Sequence, residues 1–157
     1  MTRPNRRPIR TLRRLVRGLV HPGTRSGRAP TAVGHSPAAD GRPDPGEVVW
    51  AWVGYEDDPR KGKDRPVLVI GRSGPDLLAL QLTSQDHDLD AADEARYGRH
   101  WMDIGTGGWD RERRPSEVRL DRLLRLREDA VRREGAALDK KVFDAVVAAA
   151  RTHHGRL

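Results

Sequence analysis

The 157-residue chain contains no cysteine, which excludes disulfide frameworks, thiolate nucleophiles, Cys-ligated zinc and iron–sulfur clusters. Aromatic side chains are scarce: one Phe, two Tyr and four Trp. No apolar run approaches the roughly 18–20 residues a membrane span needs, so a soluble, cytoplasmic protein without integral membrane association is expected. Acidic residues are nearly missing from one end. Residues 1–45 carry ten Arg, no Lys and only Asp40 and Asp44, whereas residues 46–157 carry 20 basic and 21 acidic side chains. The formal net charge of +7 therefore belongs to the N-terminal arm, and a basic pI does not by itself make the rest of the chain a nucleic-acid binder.

The arm, residues 1–44, divides in two. Ile9, Leu12, Leu15, Val16, Leu19 and Val20 fall on one helical face with Arg10, Arg13, Arg14 and Arg17 between them, a short basic amphipathic helix over 9–20 stopped by Pro22-Gly23. The arginines also interrupt what would have to be the apolar core of a secretory signal. Residues 21–45 are dense in Pro, Gly, Ser and Ala, with Val33 the one large apolar residue. Such a stretch cannot bury enough surface to offset its ordering entropy and reads as a disordered linker. Tethering to an anionic membrane or to nucleic acid, and a plain solvated tail, are the alternatives for the arm.

From Pro45 the pattern changes. Strands are expected at 47–53, 66–70, 77–82, 100–104, 116–120 and 123–126, with a charged loop over 54–64, a turn at 71–75 and an acidic, polar insertion over 86–99 holding at most a short helical turn. So many short strands in about 80 residues favour a small barrel over a parallel α/β sheet. The chain ends in a helix. Asp139 is its expected N-cap, with Leu138 and Phe143 as a hydrophobic staple. Val142, Phe143, Val146, Val147 and Ala150 form its apolar stripe, and Gly155 stands where a C-terminal cap would.

In order, Pro45-Gly46-Glu47-Val48-Val49-Trp50, Gly62-Lys63-Asp64-Arg65-Pro66-Val67-Leu68-Val69-Ile70, Leu82-Thr83-Ser84 and Ser116-Glu117-Val118-Arg119-Leu120-Asp121 resemble the PemK/MazF family of toxin–antitoxin ribonucleases over residues 45–157. The resemblance implies a mainly β fold, a small SH3-like barrel with a C-terminal α-helix, usually a homodimer. It implies metal-independent cleavage of single-stranded RNA, no cofactor, a cognate antitoxin as partner, and operator DNA reached through the toxin–antitoxin complex. The family's catalytic Arg and Thr match Arg65 and Thr83. The first loop departs from the family: where Gly-Ser-Glu-Gln is common, this chain has Glu56-Asp57-Asp58-Pro59-Arg60-Lys61, so an RNA sequence preference does not carry over.

The residue types suit the implied chemistry. RNA supplies its own nucleophile, the 2′-OH, and an enzyme using it needs groups that move protons and stabilise a phosphorane. A guanidinium places two donors on two phosphate oxygens; on this reading Arg65 stabilises the phosphorane and relays a proton to the leaving 5′-oxygen, with Thr83 and Ser84 completing the anion site. The products would be a 2′,3′-cyclic phosphate and a 5′-OH. A guanidinium is a poor general base, so the acceptor of the 2′-OH proton stays open. Lys63, Lys61 and Arg60 form a local basic cluster for the RNA backbone, and Tyr55 is a stacking candidate at the mouth of the first loop.

Without the resemblance, an Arg at a strand entrance is ordinarily a solvated surface group and a Thr at a strand end a turn residue. His87 between Asp86 and Asp88, His100, and His153-His154 read as structural or exposed, so no metal site is expected. Trp50 and Trp52, two apart on one face, read as core packing. A barrel that binds nucleic acid without cleaving it is the alternative to the endoribonuclease, and retention of both Arg65 and Thr83 favours the enzyme.

Overall fold

The computed structural model describes residues 31–38, 41–85 and 91–157, with the backbone alone at 133 and 134. The expected helix over 9–20 and His87 lie outside them. Seven strands and two α-helices follow in the order β1 Thr31–Val33, β2 Glu47–Gly54, β3 Gly62–Ser73, β4 Asp76–Thr83, α1 Ala91–Arg96, β5 Trp101–Gly105, β6 Ser116–Arg127, β7 Val131–Ala137 and α2 Lys140–His154. The sheet runs β5-β6-β4-β3-β2-β7, with β1 on β3, and its pairings are antiparallel. It is the expected small SH3-like barrel with a C-terminal helix.

Both faces of the central strands are buried, which is why Val48-Val49 and Val67-Leu68-Val69-Ile70 show no polar alternation. One face carries Val49, Ala51, Val53, Val67, Val69, Leu77, Ala79 and Leu124. The other carries Val48, Leu68, Ile70, Leu80 and Leu82 and is covered by Phe143, Val146, Val147 and Ala150 of α2. Each buried Leu, Val or Phe contributes about 1.5–3 kcal/mol. Helix α2 begins where the sequence says it should: the Asp139 carboxylate accepts from the Lys141 and Val142 N–H groups, meeting two donors the first turn leaves free. It ends at Gly155, whose φ of 67° is left-handed and suits glycine.

Part of the expected linker is ordered. Thr31, Ala32 and Val33 pair with Ser73, Arg72 and Gly71, and Gly71 is required there, because a Cβ would overlap the Ala32 carbonyl. His35 Nε2 donates to the Leu138 carbonyl at 2.7 Å, and its ring lies 5.2 Å from that of Phe143. Arg72 donates to the Pro43 carbonyl at 2.8 Å. Composition failed here because the segment is held by backbone pairing and one imidazole, not by burying a set of large apolar side chains. His35→Ala is expected to lower unfolding free energy in urea by about 1–2 kcal/mol, the sum of one hydrogen bond and one ring contact; an unchanged midpoint would make the segment a passenger.

Other boundaries move for physical reasons. Strand β3 starts at Gly62, so Lys63, Asp64 and Arg65 lie in a strand opposite Val53, Trp52 and Ala51, not in a loop. The strands expected at 116–120 and 123–126 are one continuous β6: Leu80 faces Leu123 and Leu82 faces Val118, so residues 119–122 bulge opposite Gln81 alone. Strand β7 lacks apolar alternation and was unreadable, since it is held through its backbone pairing with β2. Trp50 and Trp52 are not core: their side of β2 is buried at Val48 but opens toward the end of the strand, where Trp50 is half-buried and Trp52 is 37% exposed.

Candidate functional site

Alternation along the strands builds the site. Val67 and Val69 belong to one apolar face, and Arg65 continues that face two residues on. Leu77 and Ala79 belong to the same face, continued by Gln81 and Thr83. Val67 is the partner of Gln81 at the outer end of the β3–β4 pairing, and Arg65 and Thr83 lie two residues beyond it on the same two strands. The face that is hydrophobic at one end of the strands therefore turns polar at the other, with an arginine and a threonine on neighbouring strands.

A cleft of about 180 Å³ opens at this end of the strands, lined by Lys63, Asp64, Arg65 and Pro66 of β3, by Leu82, Thr83 and Ser84 at and just past the end of β4, and by Trp50, Trp109, Asp110, Arg114 and Ser116. Arg65 is half-buried, and among the described residues it has no hydrogen-bonding or ion-pairing side-chain partner. Thr83 Oγ1 accepts the Gln85 N–H at 3.2 Å, which leaves the hydroxyl proton to donate. Ser84 also borders an adjoining cavity of about 450 Å³ with Asp103, Ser116 and Glu117, so the cleft has room to continue along a chain-like ligand.

Of the residues singled out in the sequence, the structure brings Arg65, Thr83, Ser84 and Lys63 to one cleft. Tyr55, Arg60 and Lys61 stand outside its walls, on the exposed connection between β2 and β3. There Arg60 is ion-paired with Asp58 at 3.2 Å.

The loop between β5 and β6 supplies what the sequence reading missed. Arg114 donates to Asp110 at 2.9 Å and reaches Glu112 at 3.4 Å. Burial alone would raise the Asp110 carboxyl; the Arg114 hydrogen bond and the Glu112 N–H outweigh it and hold the group below its ordinary value. Trp109 Nε1 donates to Ser116 Oγ at 3.0 Å, and Trp50 Nε1 to the Trp109 carbonyl at 3.0 Å. The Trp109 ring folds back over Gly107, where a Cβ would overlap it. The only local signal was the Asp110…Arg114 spacing; nothing local says that this loop reaches β3.

Among the described residues no group of three or more His, Asp or Glu is arranged to hold a metal ion, and no helix is long and apolar enough to cross a membrane.

Fold and cleft together define a small antiparallel barrel with a polar cleft lined by Arg65, Thr83 and Ser84 at one end of its central strands. The model of the PemK-like, MazF-like toxins of type II toxin–antitoxin systems matches residues 44–153, and the chain belongs to that family. Two solved structures share the fold. One is an endoribonuclease from a mycobacterial species in complex with its cognate antitoxin: TM-score 0.51 and 17% identity, covering 73% of this chain and 97% of that one. The other is a MazE–MazF complex from Deinococcus radiodurans: TM-score 0.51 and 16% identity, covering 75% of this chain and 100% of that one. No curated protein matches the chain in sequence.

Proposed function

We propose that the protein is a metal-independent endoribonuclease, the toxin of a type II toxin–antitoxin pair, which cleaves single-stranded RNA through its own 2′-OH. The observation that carries this reading is the Arg65 guanidinium, which has no side-chain partner among the described residues and lines one cleft with Thr83. Two donors from Arg65 and one from Thr83 match the oxygens of a phosphate diester. As the 2′-oxygen attacks phosphorus, the 2′-OH proton leaves, negative charge grows on the equatorial oxygens, and the bond to the 5′-oxygen breaks as that oxygen gains a proton. Donors aimed at the growing charge stabilise the transition state more than the bound substrate. Lys63 lies on the same strand, where its charge favours the RNA backbone on either side of the scissile bond.

Family membership supports an antitoxin as the natural partner, and both structural neighbours were solved with theirs. Homodimerisation, operator-DNA binding through the antitoxin complex and a cytoplasmic site of action belong to the same proposal.

The test is incubation of folded, antitoxin-free protein with a mixed RNA in EDTA, followed by mapping of fragment ends. Cuts ending in 2′,3′-cyclic phosphate and 5′-OH are expected. Intact RNA would leave a nucleic-acid-binding barrel without cleavage.

A further inference from the structure

The connection between β2 and β3 departs from its family's usual sequence, and the structure gives that departure a mechanical counterpart. The bulge in β6 turns two arginines toward it. Arg122 donates to the Gly54 carbonyl at 2.8 Å. Arg119 donates to both Glu56 carboxylate oxygens, at 2.9 and 3.0 Å, and to Asp121 at 2.8 Å. Its side chain is only 7% exposed. Asp121 in turn accepts the His100 N–H at 2.7 Å. The connection is also bonded within itself: Tyr55 N–H donates to the Lys61 carbonyl at 2.8 Å and Lys61 N–H to the Asp58 carbonyl at 3.0 Å. The connection leads directly into the cleft wall: Gly54 pairs with Gly62 and Val53 with Lys63, and Lys63 lines the cleft.

We propose that Arg119 and Arg122 clamp residues 54–61 in a preformed position at the mouth of the cleft, with Glu56 and Arg119 as positioning residues for RNA binding. The inference rests on the ribonuclease reading and goes beyond it. It assigns a role to the part of the chain that lines no cleft yet carries Tyr55, Arg60 and Lys61. A bidentate carboxylate–guanidinium pair fixes orientation as well as distance. Ordering the connection in advance removes an entropic cost that RNA binding would otherwise meet. Because the held groups touch RNA away from the scissile bond, the clamp acts on substrate affinity and sequence preference, and the chemical step is left to the cleft.

The mild variant is Glu56→Gln in the full chain, which keeps Arg119 on Asp121 and spares the fold. Short single-stranded RNAs should show KM raised about tenfold with kcat within about twofold, and amide exchange at Tyr55 and Lys61 should accelerate. Glu56→Asp, which restores the charge on a shorter stem, should return part of the lost affinity. Unchanged KM with unchanged exchange in Glu56→Gln would overturn the clamp, and a fall in kcat at constant KM would overturn its assignment to binding. Wild-type protein that leaves RNA intact would overturn the proposed ribonuclease; the exchange rates would still report whether Glu56 holds the connection.

Discussion

Arg65→Ala is expected to lower RNA cleavage by about 10²–10³-fold or more while changing the unfolding free energy by less than about 0.5 kcal/mol. The two halves of that result have one cause. Arg65 is half-buried and forms no ion pair among the described residues, so its removal strands no buried charge and opens no core cavity. On the proposed mechanism, what is lost is a pair of donors for the phosphate. Arg65→Lys keeps the charge but replaces a planar fork by a point charge, so activity between that of wild type and Arg65→Ala is expected. Initial rates on one RNA in EDTA, with urea melts on the same preparations, decide the matter. A loss below tenfold in a folded Arg65→Ala protein would remove Arg65 from the chemistry.

Arg119→Met is expected to cost about 3 kcal/mol of stability, in addition to any weakening of RNA binding from the lost Glu56 pair. The side chain is close in length, so packing is largely kept, but the Asp121 carboxylate, 14% exposed, loses its cation and retains the His100 N–H. Removing one partner of a buried pair costs more than the pair itself was worth, because the remaining charge is uncompensated. Glu56 adds little to the total, since its side chain is 53% exposed and solvent screens it.

The sign of the pH dependence follows. Burial raises the Asp121 carboxyl, yet Arg119 and the His100 N–H outweigh it and hold the group below 3.8. Glu56 is held below 4.5 by its hydrogen bond to Arg119. A depressed carboxyl contributes stability that is complete above its unfolded value and is lost as pH falls through its folded one. The Arg119→Met penalty should therefore be full at neutral pH and shrink in acid as the buried Asp121 carboxyl, no longer held down by its cation, takes up a proton in the variant before it does in the wild type. Urea midpoints across that range, with Arg119→Met/Asp121→Asn as the relieving double variant, provide the check; a penalty independent of pH would contradict the ion-pair origin.

These two arginines mark the limits of what a linear reading reaches. The barrel and its helix were legible because their signals are local: β-branched runs bounded by Gly and Pro, a capping aspartate, an apolar stripe at helical spacing. Arg65 and Thr83 were legible through family resemblance, and their residue types suited the chemistry. Arg114 and Asp110 were not, because a loop declares its own pairings and not the strand it lies against. Strand β1 was missed for the opposite reason: its composition is that of a disordered chain, and the exposed edge of β3 that accepts it exists only once the sheet has formed.

The sequence by itself determined the kinds of element, their order, the end of the chain that carries the positive charge, and the absence of any thiol chemistry. These follow from side-chain size, polarity and periodicity within a few residues. Only the tertiary structure decided which groups meet. The pairing of β3 with β4 brought Arg65 and Thr83 to one cleft, and a four-residue bulge in β6 turned Arg119 and Arg122 onto the β2–β3 connection. Pairing register is a property of two strands at once, since a shift of one residue sends every side chain to the other face. It is chosen by the burial of both faces together and is not written in either strand alone.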